Sequence, residues 1–215
     1  MSLRLYSHPL SSFCQKVLIA LYENATPFEQ RVVLFEDEAS AAELRKLWPI
    51  GKIPVLRDDA RERTVPESST IIEYLAQHYP GPVQLVPTDA DQARQTRLRD
   101  RFYDLYVQGP MQKIVGDRLR PEGQHDPYGV EQARAQLETA YRIVDEDMAT
   151  RTWAMGDAFT MADCAAGPAL YYANLVAPLG GAHPHVTAYL NRLAGRPSFA
   201  RAIEEAGPYR ARFPR

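Results

Sequence analysis

The residues with most chemistry to offer lie in three short segments of this 215-residue chain. The first is Ser7-His8-Pro9-Leu10-Ser11-Ser12-Phe13-Cys14. A hydroxyl at the start of a helix sits where unpaired backbone N–H groups and the helix dipole favour negative charge. Ser11 or Ser12 there would donate a hydrogen bond to a ligand-borne thiolate without ionising, and lower its pKa below the free thiol value of about 8.5. Either serine is equally suited to plain helix capping. In the second segment, Trp48-Pro49-Ile50-Gly51-Lys52-Ile53-Pro54-Val55-Leu56, a proline opening a strand removes a ladder donor. It would leave the Ile53 N–H and C=O facing a peptide-like ligand, unless Pro54 does no more than start the strand. The third segment is Val65-Pro66-Glu67-Ser68-Ser69. A helix N-terminus at Ser68 binds a carboxylate and the Glu67 side chain binds an ammonium, a receptor for the zwitterionic end of an α-amino acid. Ordinary capping with an acidic first turn is the simpler account of the same residues.

Strand ends and helix starts must hold these segments. Leu3-Arg4-Leu5-Tyr6 alternates as a strand, and Phe13, Val17, Leu18 and Leu21 recur at helical spacing. The run Val32-Val33-Leu34-Phe35 predicts a second strand and Ala39 to Leu47 a short helix. Ile53 to Arg57 and Thr64-Val65, around the charged turn Asp58 to Arg63, predict a hairpin, and Glu67 to Tyr79 an amphipathic helix. This order implies an α/β layer on a mixed sheet. Tyr79-Pro80-Gly81-Pro82 and Pro87 stop the helix, and the chain beyond is helical in period. One helix is expected from Ala90 to about Gln108, with Leu98, Phe102, Leu105 and Tyr106 on one stripe; others cover Glu131 to Met148, Ala162 to Val176, Val186 to Leu193 and Phe199 to Ala206. The domains expected are 1–80, a linker at 81–88, and an all-helical 89–215.

With 25 Lys and Arg against 27 Asp and Glu, the net charge of −2 gives no electrostatic footprint for nucleic acid or an anionic membrane. No apolar run reaches the roughly 20 residues of a membrane span. The start lacks the apolar core of a signal peptide, and the two cysteines, Cys14 and Cys164, form no disulfide framework. A cytoplasmic protein is expected, with no metal and no nucleic-acid or membrane partner.

Together, Trp48-Pro49-Ile50-Gly51-Lys52-Ile53-Pro54 and, thirteen residues after Pro54, Glu67-Ser68 resemble the cytosolic glutathione transferase superfamily, over essentially the whole chain. The resemblance implies a thioredoxin-like α/β N-terminal domain followed by an all-α helical bundle. It also implies a cis bond before Pro54, pairing of Ile53 with the cysteinyl backbone of glutathione, and a γ-glutamyl site at Glu67 and Ser68. Gly156 to Asp163 resembles the family's capping-box motif, in which Thr160 caps a helix and Asp163 reaches back to the Thr160 N–H, a structural role. Ser11-Ser12-Phe13-Cys14-Gln15-Lys16-Val17 looks like the serine-type sites of the phi, zeta and theta classes. That places the thiolate-stabilising serine on Ser11, with Ser12 as second choice and Tyr6 as a minor rival. An apolar pocket for a small hydrophobic electrophile would use Leu10, Phe13, Tyr106 and Met111, with Tyr209 and Phe213 of the tail closing over it. A homodimer is implied.

The basic pair of phi-class proteins is replaced by Ala39-Ser40, so the glycine carboxylate is either held from elsewhere, with Lys52 the candidate, or held more weakly. Phe13 stands where zeta-class sites carry cysteine, against an isomerase of that type. Cys14 matches the second cysteine of a thioredoxin-like pair whose first is Ser11, so dithiol chemistry is not expected. His183 and His185 are read as surface residues, not metal ligands. The activity expected is transfer of the glutathione thiolate to small electrophiles. The alternatives are a glutathione-dependent isomerase or peroxidase, or a non-catalytic binding protein on the same scaffold.

Overall fold

The computed structural model describes residues 2–214. The first part forms β1 (Leu3–Ser7), α1 (Ser12–Glu23), β2 (Glu29–Val32), α2 (Glu38–Leu47), β3 (Val55–Asp58), β4 (Arg63–Pro66) and α3 (Ser68–His78). The sheet runs β2-β1-β3-β4, with β1 parallel to β2 and antiparallel to β3, and β3 antiparallel to β4. Strand alternation sends Leu3, Leu5 and Leu56 into the core shared with α1 and α3. Tyr6 and Val55 go to the other face, with Val33 and Leu44 of α2. This is the thioredoxin-like α/β layer expected.

The second strand departs from expectation. The β-rich run 32–35 lies mostly beyond it, since pairing begins at Arg4↔Glu29 and ends at Ser7↔Val32. β1 is exhausted at Ser7, so register overrides the propensity of Val33 to Phe35. Val33 is then buried beneath α2, whereas Phe35 is exposed.

The remainder is helical: α4 (Ala90–Phe102), a π-helical turn (Tyr103–Gln108), α5 (Gly109–Arg118), α6 (Pro127–Met148), α7 (Met161–Val176), α8 (Pro184–Ala194), α9 (Pro197–Glu205) and a terminal 3-10 turn (Gly207–Arg212). The expected helix to Gln108 widens after Phe102. Pro110 has no N–H for the Tyr106 carbonyl, and the Gly109 N–H bonds the Asp104 carbonyl five residues back. Most of the predicted apolar stripe also faces the wrong way, although Phe102 packs partly against the core. Leu98, Leu105 and Tyr106 are 56%, 59% and 57% exposed, while Ala93, Thr96, Asp100, Tyr103 and Val107 turn inward. Polar Thr96 and Asp100 occupy the core stripe because Asp100 has a buried cation to meet, described below.

α7 runs through the centre, and the apolar core continues from β1 and α1 through α7 to α8 and α9. Its start carries the expected capping box: the Thr160 N–H donates to Asp163 Oδ2 at 2.8 Å, while Asp163 Oδ1 accepts from the Ala154 N–H and the Tyr189 hydroxyl. The segment between α3 and α4 is pinned. Leu85 is buried and its carbonyl accepts from the Met161 N–H, Asn24 Oδ1 accepts from the Val83 N–H, and Gly81 passes so close to Asn24 that a Cβ would collide. No helix among the described residues is long and apolar enough to cross a membrane.

Candidate functional site

The hairpin register brings two of the segments together. Val55 pairs with Pro66 at the end of the β3–β4 ladder, so Ile53-Pro54 enters and Glu67-Ser68 leaves the hairpin at the same end of the sheet. The thirteen-residue separation in sequence thus becomes adjacency in space. The Ile53–Pro54 peptide is cis. Lys52, Ile53, Pro54, Glu67 and Ser68 line one groove of about 320 Å³ with Phe13, Trp48, Asp104, Leu105 and Gln112.

α3 begins in this groove with its N-terminal end open. Glu67 occupies the cap position, but no side chain caps the helix, which leaves its first N–H groups available to a carboxylate. The simpler capping role for these residues therefore fails. Glu67 has φ +69°, a left-handed conformation that costs a residue with a Cβ about 1–3 kcal/mol and is held where the surroundings impose it. Glu67 and Asp104 bring acidic groups to the helix start, while Lys52 supplies an exposed cation elsewhere on the groove wall. Opposite charges spread along one groove suit a zwitterionic peptide.

Asp104 went unnoticed in the sequence. The π-helical turn presents it to the groove, and behind it lies a buried polar cluster. Lys16, 1% exposed, extends Nζ to within 2.7 Å of Asp100 Oδ1 and of Asp104 Oδ2, and donates to Ser69 Oγ at 2.9 Å. The Ser69 hydroxyl donates to Asp100 Oδ2 at 2.6 Å. Burial pushes the Asp104 carboxyl above the usual carboxylate range, against the opposing pull of Lys16. A lysine in the middle of α1 and two aspartates four residues apart, Asp100 on α4 and Asp104 on the π-helical turn, were the available signals.

The adjoining cavity, about 470 Å³, shares Gln112 with the groove and is lined by Leu10, Ser11, Ser12, Gln108, Met111, Tyr172 and Phe213 among others. Ser11 is the N-cap of α1, its Oγ accepting from the Cys14 N–H at 3.4 Å. Capping uses a lone pair and leaves the hydroxyl proton free to donate. Ser12 is the first helical residue and is nearly buried at the same wall. The tail lies over this region: Phe213 packs against Tyr172 with ring centres 5.2 Å apart, Tyr209 meets His8 edge-on at 4.9 Å, and Arg118 Nη1 donates to the Pro214 carbonyl.

Several assignments change. Phe13 belongs to the groove wall rather than the second cavity, because each helical step turns the side chain about 100° and carries it away from Ser12. Tyr106 lines neither space. The π-helical turn points it outward into a shallow apolar groove with Phe102, Ala140 and Ile143. Met111 lies on α5 and lines the Ser11 cavity. Tyr6 is on the far face of the sheet, where its hydroxyl donates to Glu43 Oε1 at 2.7 Å. Cys14 is fully buried and its thiol is pushed up to about 12, so it holds its proton at neutral pH. His183 is buried, not on the surface, with Nε2 2.9 Å from Glu138 Oε1. Among the described residues no group of three His, Cys, Asp or Glu is disposed to hold a metal.

Comparison with known proteins agrees with the fold. Residues 5–83 match the family described as glutathione S-transferase, N-terminal domain, and residues 127–192 the glutathione S-transferase, C-terminal domain. Glutathione S-transferase GstB of Escherichia coli K12 is 24% identical over 194 residues, 90% of this chain and 93% of that protein. The glutathione S-transferase of Methylobacterium radiotolerans, solved with glutathione sulfonate, is 30% identical with a TM-score of 0.81, covering 94% of each chain. That of Methylobacillus flagellatus, solved with GSH bound, is 26% identical with a TM-score of 0.84, covering 94% of this chain and 98% of that one.

Proposed function

Because this chain belongs to the glutathione S-transferase family and is an enzyme of that kind, we propose that it binds glutathione in the groove and delivers the thiolate to a small electrophile beside Ser11. The observation that carries this reading is the single groove that Ile53 lines together with the uncapped α3 start at Glu67 and Ser68, at the end of the hairpin. The α3 N–H groups and the Ser68 hydroxyl take the α-carboxylate of the γ-glutamyl end. Glu67, with Asp104 beside it, takes the ammonium. Ile53 pairs with the cysteinyl amide, and Lys52 takes the glycine carboxylate in place of the absent basic pair.

The sulfur then reaches the start of α1, where Ser11 donates to it. A hydrogen bond to a charged acceptor stabilises by about 1.5–3 kcal/mol, or roughly one to two pKa units. That brings a thiol of about 8.5 close to neutrality. Leu10 and Met111 offer apolar contact to the electrophile. Residues 1–80 would be the glutathione-binding domain, 81–88 its linker and 89–215 the helical domain of a cytoplasmic homodimer. The outward stripe of Leu98, Leu105 and Tyr106 supports the dimer as a face that a second copy would cover.

Calorimetric titration with glutathione tests the groove: millimolar or tighter binding, lost in Glu67→Ala combined with Ser68→Ala, is expected, and absence of binding to the intact chain overturns the reading. Sedimentation of Leu98→Asp combined with Tyr106→Asp tests the dimer, with a shift to monomer expected.

A further inference from the structure

One polar side chain in the wall of the Ser11 cavity has no partner. Gln108, the last residue of the π-helical turn, is 2% exposed and lines that cavity. Its Oε1 is enclosed without a hydrogen-bond partner, and its Nε2 makes no hydrogen bond among the described residues. An enclosed amide left in this way bears the cost of its lost hydration with nothing to offset it, so stability does not explain its place in the wall. With neither end bonded, the amide is free to turn its N–H toward the cavity.

The π-helical turn, a distortion found frequently at functional sites, sets Asp104 on the groove and, four residues on, Gln108 on the cavity. Gln112, four residues further, lines both. Gln108 thus stands on the row of side chains that runs from the groove into the cavity, where a thiol held in one meets a molecule in the other. The remaining polar groups of the wall have other surroundings. Ser11 and Ser12 belong to the start of α1, Gln112 is exposed to solvent, and Arg212 Nη1 donates to Glu36 Oε1 at 2.6 Å. Leu10, Met111 and Val115 give the same cavity its apolar surface.

A neutral N–H in an enclosed wall acts most strongly on an atom where charge collects during the reaction, and electrophiles differ in where that atom lies. When a thiolate displaces an alkyl halide, the electron pair of the broken bond leaves with the halide. When a thiolate adds to a conjugated ketone, the C–S bond forms at the β-carbon and the C=C pair shifts toward the carbonyl. The carbonyl oxygen takes the negative charge as an enolate, and water then gives a proton to the α-carbon. We propose that Gln108 is the specificity-determining residue of the Ser11 cavity, a role that rests on the transferase reading. Its side-chain N–H donates to the carbonyl oxygen of an α,β-unsaturated ketone or aldehyde and favours that class of electrophile over alkyl halides. The hydrogen bond strengthens as the enolate forms, so it acts on the rate of addition more than on the binding of the ketone.

The test is steady-state kinetics of the full chain with glutathione and either trans-4-phenyl-3-buten-2-one or benzyl chloride. Gln108→Leu should lower the ratio of kcat/KM for the enone to that for benzyl chloride by about 10–100-fold, the scale on which loss of one donor to a developing oxyanion is felt. Differences in glutathione ionisation cancel in that ratio. Gln108→Met, which keeps the length of the side chain, should lower it to the same extent and serves should the first variant not fold. The loss should fall more on kcat than on KM. Calorimetric titration should give both variants the wild-type affinity for glutathione, since Gln108 lines the cavity and not the groove. No turnover of the enone by the wild-type chain, an unchanged ratio in both variants, or a loss confined to KM each overturns the proposal. A wild-type chain that binds glutathione and shows any of these results refutes this inference alone. A wild-type chain that binds no glutathione refutes the transferase reading, and this inference with it.

Discussion

The groove at Ile53 and Glu67 and the cavity at Ser11 adjoin each other and are built in opposite ways. The groove takes part of its binding groups from main chain. The pairing Val55↔Pro66 brings Ile53-Pro54 and Glu67-Ser68 to the same end of the hairpin, and the uncapped start of α3 supplies donors whose positions no rotamer can change. The cavity is made from side chains of α1, α5, α7 and the tail, converging from positions as distant in sequence as Leu10, Met111, Tyr172 and Phe213. A main-chain receptor suits a ligand that never varies. A side-chain cavity can be re-lined one residue at a time without disturbing the fold, and suits a ligand that does vary.

The contrast is most strongly tested by removing what stiffens the groove from behind. Lys16 ties α1 to Asp100 and Asp104, and Ser69 ties that cluster to the start of α3. Lys16→Met leaves two buried carboxylates without their cation and is expected to cost about 3–5 kcal/mol in denaturant unfolding. Adding Asp100→Leu should recover part of that loss, because the penalty comes from uncompensated charge rather than from packing. Near-wild-type stability in Lys16→Met would mean that the cluster supports nothing and that the groove is rigid through the hairpin alone.

How far each region could be read from sequence follows the same division. Ile53-Pro54 and Glu67-Ser68 are contiguous motifs at strand ends, so their types and spacing carried the groove. α1, α2, α3 and the helices from α6 onward followed their apolar periods. Asp104 and Lys16 were not legible, since each acquires meaning only through a partner more than eighty residues away. The helix after the linker misled, because its exposed apolar residues mimic a core stripe while its buried stripe carries Thr96 and Asp100. Tyr106 and Phe13 went astray for the same reason: a residue's type states what it can touch, whereas its direction depends on the turn it sits on.

Ser11→Ala strikes the junction between the two regions. Conjugation of chlorodinitrobenzene should fall about 10–100-fold in kcat/KM, the equivalent of about 1.4–2.7 kcal/mol, with its pH profile moving up toward the free thiol. Stability should drop by about 1 kcal/mol from loss of the cap to the Cys14 N–H. Ser12→Ala should leave the rate within about twofold, far short of the tenfold that 1.4 kcal/mol represents. The opposite pattern would transfer the role to Ser12, which shares the same cavity wall.

Glu67→Gly separates strain from recognition. Glycine adopts φ +69° without a Cβ penalty, so the melting temperature should rise by an amount equivalent to about 1 kcal/mol while glutathione binding weakens. Glu67→Gln should weaken binding with no gain in stability. Should Glu67→Gly stabilise the chain and leave the affinity intact, the Glu67 side chain would have no part in the receptor.

The smallest expected effect is a slope with pH rather than a loss. Burial raises the Asp104 carboxyl pKa in the folded chain above its unfolded value. Between those two values the folded protein holds a proton that the unfolded chain releases, so the stability contributed by this group is fully present below the unfolded value and is lost as pH rises through the folded one. Asp104→Asn has no such titration. The stability of the wild type relative to Asp104→Asn should therefore decline as pH is raised from about 4 toward neutrality, in parallel urea series. A difference that grows with pH would mean that Lys16 outweighs desolvation. The wall of the groove would then be anchored by attraction to Lys16, not merely kept from water, which would place the groove's rigidity in the same side-chain chemistry that builds the cavity beside it.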